Sequence, residues 1–212
     1  MAEPGLKALS GKDVRERLLI AAVQAFAEKG YAATSVREIV EAAGVTKPVL
    51  YYHFRNKEGV FRAMMQEAIA THRVVLDEVR RAGGTVCERI LMLNERVYIL
   101  ALENALAVRV IDSVYYGPRG GTPEFDFEQL HGEFDAMLRS LVEEAVNAGE
   151  LPKGNIDDMV LALTGGFLAG KVTISDRSIM ANPVRPEDLR SIIGIILDGI
   201  RARSSGRTEE GR

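Results

Sequence analysis

The chain has 212 residues, of which 47% are hydrophobic and 27% charged, with 20 glycines and 7 prolines. These proportions belong to a globular chain long enough to bury a core, and they exclude low-complexity disorder and fibrous repeats. The net charge is −3 but unevenly placed: residues 1–60 carry nine Lys/Arg against seven Asp/Glu, and residues 61–212 carry 18 against 23.

Residues 12–29 read as an amphipathic helix, with Leu19, Ala22, Val23 and Phe26 on one stripe and Gly30 as its stop. Ser35 and Glu38 form a capping box, each able to take an orphan backbone N–H of the other at a helix start. The helix they open carries Val36, Ile39, Val40 and Ala43 inward and ends at Gly44. Thr46 is the next N-cap, and Pro48 sits in the first turn, where a missing N–H costs nothing. Leu50 and Phe54 point inward, and Asn56 caps a fourth helix that starts at Lys57. A helix, a tight glycine turn and a second helix make a helix-turn-helix, whose second helix enters the major groove of DNA.

With Leu50 and Phe54 inward, the other face of this second helix shows Lys47, Tyr51, Tyr52 and His53. Between Gly44 and Lys57 there are three cations and no acid, a local field suited to a phosphate backbone. Rings with polar tips beside a lysine can bond phosphate oxygens, and Lys47 can reach a base edge or a phosphate. Thr46 can cap and contact, and Arg37 can reach the flanking backbone. For each ring singly, packing is an equal alternative; the cluster together favours contact.

The run Phe26-Ala-Glu-Lys-Gly-Tyr31, Thr34-Ser35-Val-Arg37-Glu-Ile39, Ala43-Gly44-Val45-Thr46-Lys47-Pro48 and Leu50-Tyr51-Tyr52-His53-Phe54-Arg-Asn56-Lys57 through Phe61 resembles the DNA-binding domain of TetR-type transcriptional repressors. The resemblance is ungapped over residues 12–61. It implies contacts to bases or nearby backbone from Arg37 and Thr46, Lys47 and Pro48. It implies phosphate contacts from Tyr51, Tyr52, His53 and Lys57.

Beyond Phe61 the pattern is helix upon helix. Met64, Met65, Ala68 and Ile69 continue the fourth helix as far as Gly83-Gly84. Residues 85–103 and 105–116 are apolar-rich helices, and the loop 117–123 is dense in breakers. A helix over 125–148 ends at Gly149, another starts at Asn155 or Asp157, and a spacer at 182–186 precedes a last helix over 187–203. No strand alternation is sustained, so the class is all-α. The expected organisation is a three-helix DNA-binding domain (1–60), a larger helical domain (61–204) and a polar, disordered tail (205–212).

Gly165 to Lys171 fits G-x-x-x-x-G-K, the pattern of a phosphate-binding loop in a nucleotide-dependent enzyme. Val172 stands where that loop needs a magnesium-binding Ser or Thr, and no other strands exist to build its sheet. The same stretch read as helix gives two smooth rows, Gly165/Ala169/Thr173 and Gly166/Gly170. With Leu189, Ile192, Ile193, Ile196 and Ile200 of the last helix, these rows suggest a four-helix homodimer interface about a two-fold axis. The alternative is ordinary monomer core. A dimer suits a near-palindromic double-stranded operator with half-sites about one DNA turn apart, roughly 34–36 Å.

A small-molecule effector is implied by the resemblance. Its pocket would draw on Tyr98, Tyr115, Tyr116, Phe134, Met92, Met137 and Phe167, with Arg109, Asp112 and His131 as polar anchors. Plain core or surface is the other reading of each of these residues. One cysteine, Cys87, excludes an internal disulfide, and the histidines lack spaced partners, so neither metal nor cofactor is expected. No apolar run approaches about 20 residues, and the N-terminus lacks a signal-peptide core, so a cytoplasmic chain without a membrane partner is expected. The expected function is a repressor released by its effector; an effector-independent DNA-binding regulator is the other regulatory reading.

Overall fold

The computed structural model describes residues 13–117, 122–175 and 184–206, and every regular element among them is an α-helix. In chain order these are α1 (Val14–Lys29), α2 (Val36–Ala43), α3 (Lys47–Phe54), α4 (Lys57–Arg81), α5 (Val86–Glu103), α6 (Ala105–Tyr115), α7 (Glu128–Asn147), α8 (Ile156–Ser175) and α9 (Pro186–Gly206). The loop at 117–123, the spacer at 182–186 and the tail at 205–212 lie partly outside the described residues. The chain divides into two compact units, one of Met1–Ala68 with Arg109–Phe125, the other of Ile69–Val108 with Asp126–Arg212.

In the first unit, α1 packs on α2 and α3, and α2 packs on α3. Leu18, Phe26, Ile39, Leu50, Phe54 and Phe61 are buried together, each such side chain contributing about 1.5–3 kcal/mol. The expected stripe of α1 shifts slightly: Val23 is half-buried and Leu18 is wholly buried, because Leu18, Ala22 and Phe26 follow the i, i+4 row that faces α2 and α3. Both halves of the Ser35–Glu38 capping box form. Gly44 takes the left-handed conformation (φ 65°, ψ 40°) that only glycine adopts without strain, and the Val45 N–H returns to the Val40 carbonyl at 2.9 Å. That single residue turns the chain from α2 into α3.

In the second unit, α5 packs against α7, α8 and α9, while α8 lies between α7 and α9. Its core includes Leu93, Tyr98, Leu138, Leu163, Leu189 and Leu197. α5 opens with a second capping box, Thr85 and Glu88, of the same S/T-x-x-E form. The Glu150 carboxylate accepts from the Val86 and Cys87 N–H groups at 2.9 and 2.8 Å, placing a negative charge at the same positive helix end. Cys87 is buried, and burial raises its thiol pKa.

α8 corrects three expectations. Gly165–Lys171 is helical throughout, so no loop exists there to cradle a phosphate and the nucleotide-dependent reading falls. By length and mean hydropathy (1.2) α8 meets the requirement for crossing a membrane, contrary to the expectation that no run would. Its side chains Leu163 and Phe167, however, are packed in the core. The dimer stripe also splits. A β-carbon on Gly166 would stand 2.6 Å from Ile196 Cδ1 and 3.2 Å from Ile193 Cδ1, and one on Gly170 would stand 2.9 Å from Leu189 Cδ1. Gly166 and Gly170 therefore admit α9 of the same chain. Thr173 belongs there too: its hydroxyl donates to the Gly170 carbonyl and accepts the Val184 N–H, fixing the approach to α9. Ile193 is buried, and Ile192, Ile196 and Ile200 are half-buried at this seam. Only Gly165 and Ala169 of the expected stripe face outward. Large apolar side chains are exposed on the same two helices: Leu161, Leu168 and Val172 on α8, and Ile195 on α9.

Candidate nucleic-acid interface

The eight residues of α3 divide cleanly by burial. Leu50 and Phe54 are 0% and 6% exposed, while Tyr51 and Tyr52 are 47% and 85% exposed. Thr46, Lys47 and Pro48 are also exposed, and His53 is half-buried. A face with two open tyrosine rings is costly in water unless it meets a partner. Thr46 holds the extended N-cap backbone (φ −103°), but its hydroxyl makes no capping bond, which corrects the expectation that it caps through its side chain. The hydroxyl is left for a contact outside the helix. Arg37 is exposed on α2 and paired with Glu41 at 2.6 Å, one turn on. Such an exposed i, i+4 pair is weak, so it opens readily to a stronger anion.

Lys57 departs from expectation. Its ammonium donates to the carbonyls of Tyr31 (2.7 Å), Thr34 (2.9 Å) and, more weakly, Ala32 (3.4 Å), and it stands 4.2 Å from the centre of the Tyr31 ring. All three of its protons are committed. Burial pulls its pKa below the usual lysine value. The expected phosphate contact is thus better described as a clamp on the α1–α2 connection. Thr34 completes that clamp: it is buried, and its hydroxyl lies 2.9 Å from the Gly30 carbonyl and 3.1 Å from that of Ala25. Neither role shows in a local pattern, because the partners are remote in sequence.

The same connection is tied on the outside by Lys29, which donates to Glu38 at 2.6 Å. The Lys29 bond, with the Ser35 backbone and hydroxyl bonds, lowers the Glu38 pKa to about 2 from an ordinary 4.5. A lowered carboxylate stabilises the fold above its unfolded value and loses that contribution as pH falls through its folded value. Helical signal tied to this site should therefore fall between about pH 4.5 and 2. Glu38→Gln, which keeps the capping geometry, should remove that part of the acid titration. Superimposable acid titrations of the two proteins by circular dichroism would refute the assignment.

α3 ends abruptly. Arg55 has φ 66° and ψ −41°, and the Asn56 N–H donates to the Phe54 carbonyl at 2.8 Å, closing a three-residue γ-turn. Asn56 then caps α4, its side-chain oxygen accepting the Gly59 N–H at 2.7 Å. An open cleft of about 460 Å³ lies against this junction, lined by Arg15, His53, Arg55, Arg62 and Gln66 over the Phe54 ring.

The residues expected to line an effector pocket fall in both units. Arg109, Asp112, Tyr115 and Tyr116 belong to the first unit, the others to the second. Arg109, Tyr115 and Tyr116 are exposed, the two rings meeting edge to face at 4.7 Å. Tyr98 is wholly buried and its hydroxyl donates to the Val184 carbonyl at 2.6 Å, so it pins the segment before α9. Phe134 and Phe167 pack ring on ring at 4.9 Å, with Met137 buried nearby in the same core, while Met92 and His131 are half-buried. His72 and Asn94 are buried, and among the described residues the Nδ1 of His72 and the side-chain oxygen of Asn94 have no hydrogen-bond partner.

Comparison with known proteins bears on this face directly. Residues 18–64 match the family model for bacterial regulatory proteins of the tetR family. Over 55 residues, 26% of this chain, the sequence is 46% identical to the HTH-type transcriptional activator FasR of Mycolicibacterium smegmatis, a match spanning 25% of that protein. Over 179 residues, covering 79% of this chain and 88% of the relative, it is 31% identical to the uncharacterized HTH-type transcriptional regulator YvkB of Bacillus subtilis. The ketosteroid transcriptional regulator KstR2 of Mycobacterium tuberculosis has a similar fold, with a TM-score of 0.72 and 20% identity over 90% of this chain and 96% of that one.

Proposed function

Because this chain belongs to the TetR family of bacterial regulatory proteins, DNA-binding helix-turn-helix regulators of transcription, we propose that it is a homodimeric repressor that a small molecule releases from its operator. The observation that carries this reading is the outward face of α3. Lys47, Tyr51 and Tyr52 stand exposed on a helix whose other side is locked by Leu50 and Phe54. A rigid helix with a basic N-terminus and polar rings is what groove recognition requires. Thr46, Pro48 and His53 flank that face, and Arg37 reaches the adjoining backbone once its pair with Glu41 opens. The protein works in the cytoplasm on a near-palindromic duplex, with one α3 in each of two successive major grooves.

The two copies meet through the outward faces of α8 and α9, where Leu161, Leu168, Val172 and Ile195 are exposed beside Gly165 and Ala169. An effector acts by binding one arrangement of the dimer better than another, and only to the extent of that preference. A second reading, regulation without an effector, is favoured by the burial of Tyr98, Phe134, Met137 and Phe167 in the core of the second unit. Release of bound DNA by any member of a metabolite panel separates the two.

Lys47→Ala tests the function. Duplexes selected from a random pool by the wild-type protein should bind the variant about 1–3 kcal/mol more weakly, with little change on unselected duplex. That pattern marks base readout. A uniform loss on every duplex would reassign Lys47 to phosphate, and failure of the wild type to enrich any duplex would refute DNA recognition.

A further inference from the structure

Arg55 is a residue whose backbone and side chain are at odds. Among the described residues the other positions with positive φ are Gly30, Gly44, Gly84 and Gly149, and Arg55 alone carries a side chain there. In this region a β-carbon is crowded by its own backbone, and a γ-turn of this hand is strained. Glycine would suit the turn better. A side chain kept under strain points to a use outside the fold, and the fold itself makes none of it. Arg55 is exposed and, among the described residues, has no ion pair or hydrogen bond from its guanidinium.

Its surroundings say what it could hold. The cleft it lines also has Arg15, Arg62, His53 and Gln66, and among the described residues no carboxylate forms part of its wall. Arg15 is paired with Glu67 and Arg62 with Glu58, each at 2.7 Å. A guanidinium has five N–H donors, so each of these keeps donors for a second anion. Arg55 adds the charge that no acid compensates. The Arg15 guanidinium also stacks over the Phe54 ring at 5.5 Å, which fixes the floor of the cleft.

The cleft stands at the far end of α3 from Lys47. Eight residues of helix separate Lys47 from Arg55, about 12 Å at 1.5 Å per residue. The major groove is also about 12 Å wide. A helix whose N-terminus reads the groove therefore brings its C-cap to the groove's rim, where the phosphates are. We propose that this cleft seats a backbone phosphate of the DNA duplex, with Arg55 as the direct contact and Arg15 and Arg62 as supporting donors. The proposal rests on the DNA-binding function above and adds to it a phosphate site at the end of α3 opposite Lys47.

Arg55→Gly separates the side chain's use from the fold, because it removes the charge and relieves the turn together. Wild type, Arg55→Gly and Arg55→Lys are compared on a 30-bp mixed-sequence duplex by fluorescence anisotropy between 50 and 200 mM salt, and by thermal unfolding without DNA. Each lost phosphate contact lowers the slope of log affinity against log salt by about 0.9, hence about 1.8 for a dimer. The ratio of wild-type to Arg55→Gly affinity should then fall about tenfold across that range of salt. Arg55→Lys should restore most of the slope, and the unfolding midpoint of Arg55→Gly should not drop.

An unchanged slope in Arg55→Gly, with the wild type binding normally, overturns the phosphate site and leaves the DNA-binding function standing. A midpoint several degrees lower would make Arg55 a folding residue and equally overturns it. So does an unchanged slope combined with loss of a thermal shift given by inorganic phosphate at matched ionic strength, since the cleft would then hold a free anion. If the wild type binds no duplex at any salt, the function reading and this proposal fail together.

Discussion

Gly59→Ala is expected to destabilise the helix-turn-helix unit by about 3 kcal/mol, at the upper end of what overpacking does. A β-carbon at this position would stand 1.8 Å from the Phe54 carbonyl oxygen and 2.9 Å from its carbon. Both are backbone atoms, so no side chain can swing aside to make room. That carbonyl is also the acceptor of the γ-turn, held by the Asn56 N–H, and Asn56 in turn accepts from the Gly59 N–H at 2.7 Å. Relieving the clash means opening the turn, unseating buried Phe54 and releasing the α4 cap together. Urea unfolding of the full-length protein, followed by tyrosine fluorescence from the first unit, measures this. DNA affinity should fall in parallel, because α3 loses its anchored end. A change below about 0.5 kcal/mol would mean that the junction yields and that its geometry is not what holds α3 in place.

From sequence, Gly59 reads only as a poor helix former worth about 1 kcal/mol in the wrong direction. Its reason lies in the junction, which no periodicity describes. By contrast, α2 and the start of α3 were legible because their causes are local: a Ser–Glu pair three residues apart, one glycine with positive φ, and a proline in the first turn. The division of α3 into a buried and an open face followed from Leu50 and Phe54 for the same reason. Lys57 was not legible as a clamp, since its partners, Tyr31 and Thr34, are 26 and 23 residues earlier in the chain. The smooth rows of α8 show a subtler failure. Neighbouring rows on a helix differ by a rotation of about 100° per residue, so Gly165/Ala169 and Gly166/Gly170 look equally fit to meet a partner. Which row faces α9 of the same chain depends on where α5 and α7 lie, and that is tertiary information. For the effector set the sequence is ambiguous for another reason: aromatic residues fill cores and line pockets alike, and the Tyr98 hydroxyl is bonded to the Val184 carbonyl.

Ile195→Glu is expected to give a folded monomer whose DNA affinity falls by 10²- to 10⁴-fold, the gain that linking two binding heads confers. Ile195 is 68% exposed on α9, and Leu161 is 72%, Leu168 43% and Val172 42% exposed on the adjoining α8. All four are large apolar side chains on two helices that pack on each other, the kind of surface that an interface covers. Since these side chains do little inside their own chain, a carboxylate at 195 leaves the core of Leu189, Ile193 and Leu197 untouched. At a two-fold interface the same change occurs twice, so the dimer loses apolar area and must desolvate two carboxylates from one substitution. Sedimentation should report a mass near 23.2 kDa for the variant, with unchanged helical content. A variant that stays dimeric would put the interface elsewhere on the molecule. A monomer that still binds operator as tightly as the wild type would break the link between dimerisation and recognition, because one α3, however well its face is presented, engages only one major groove.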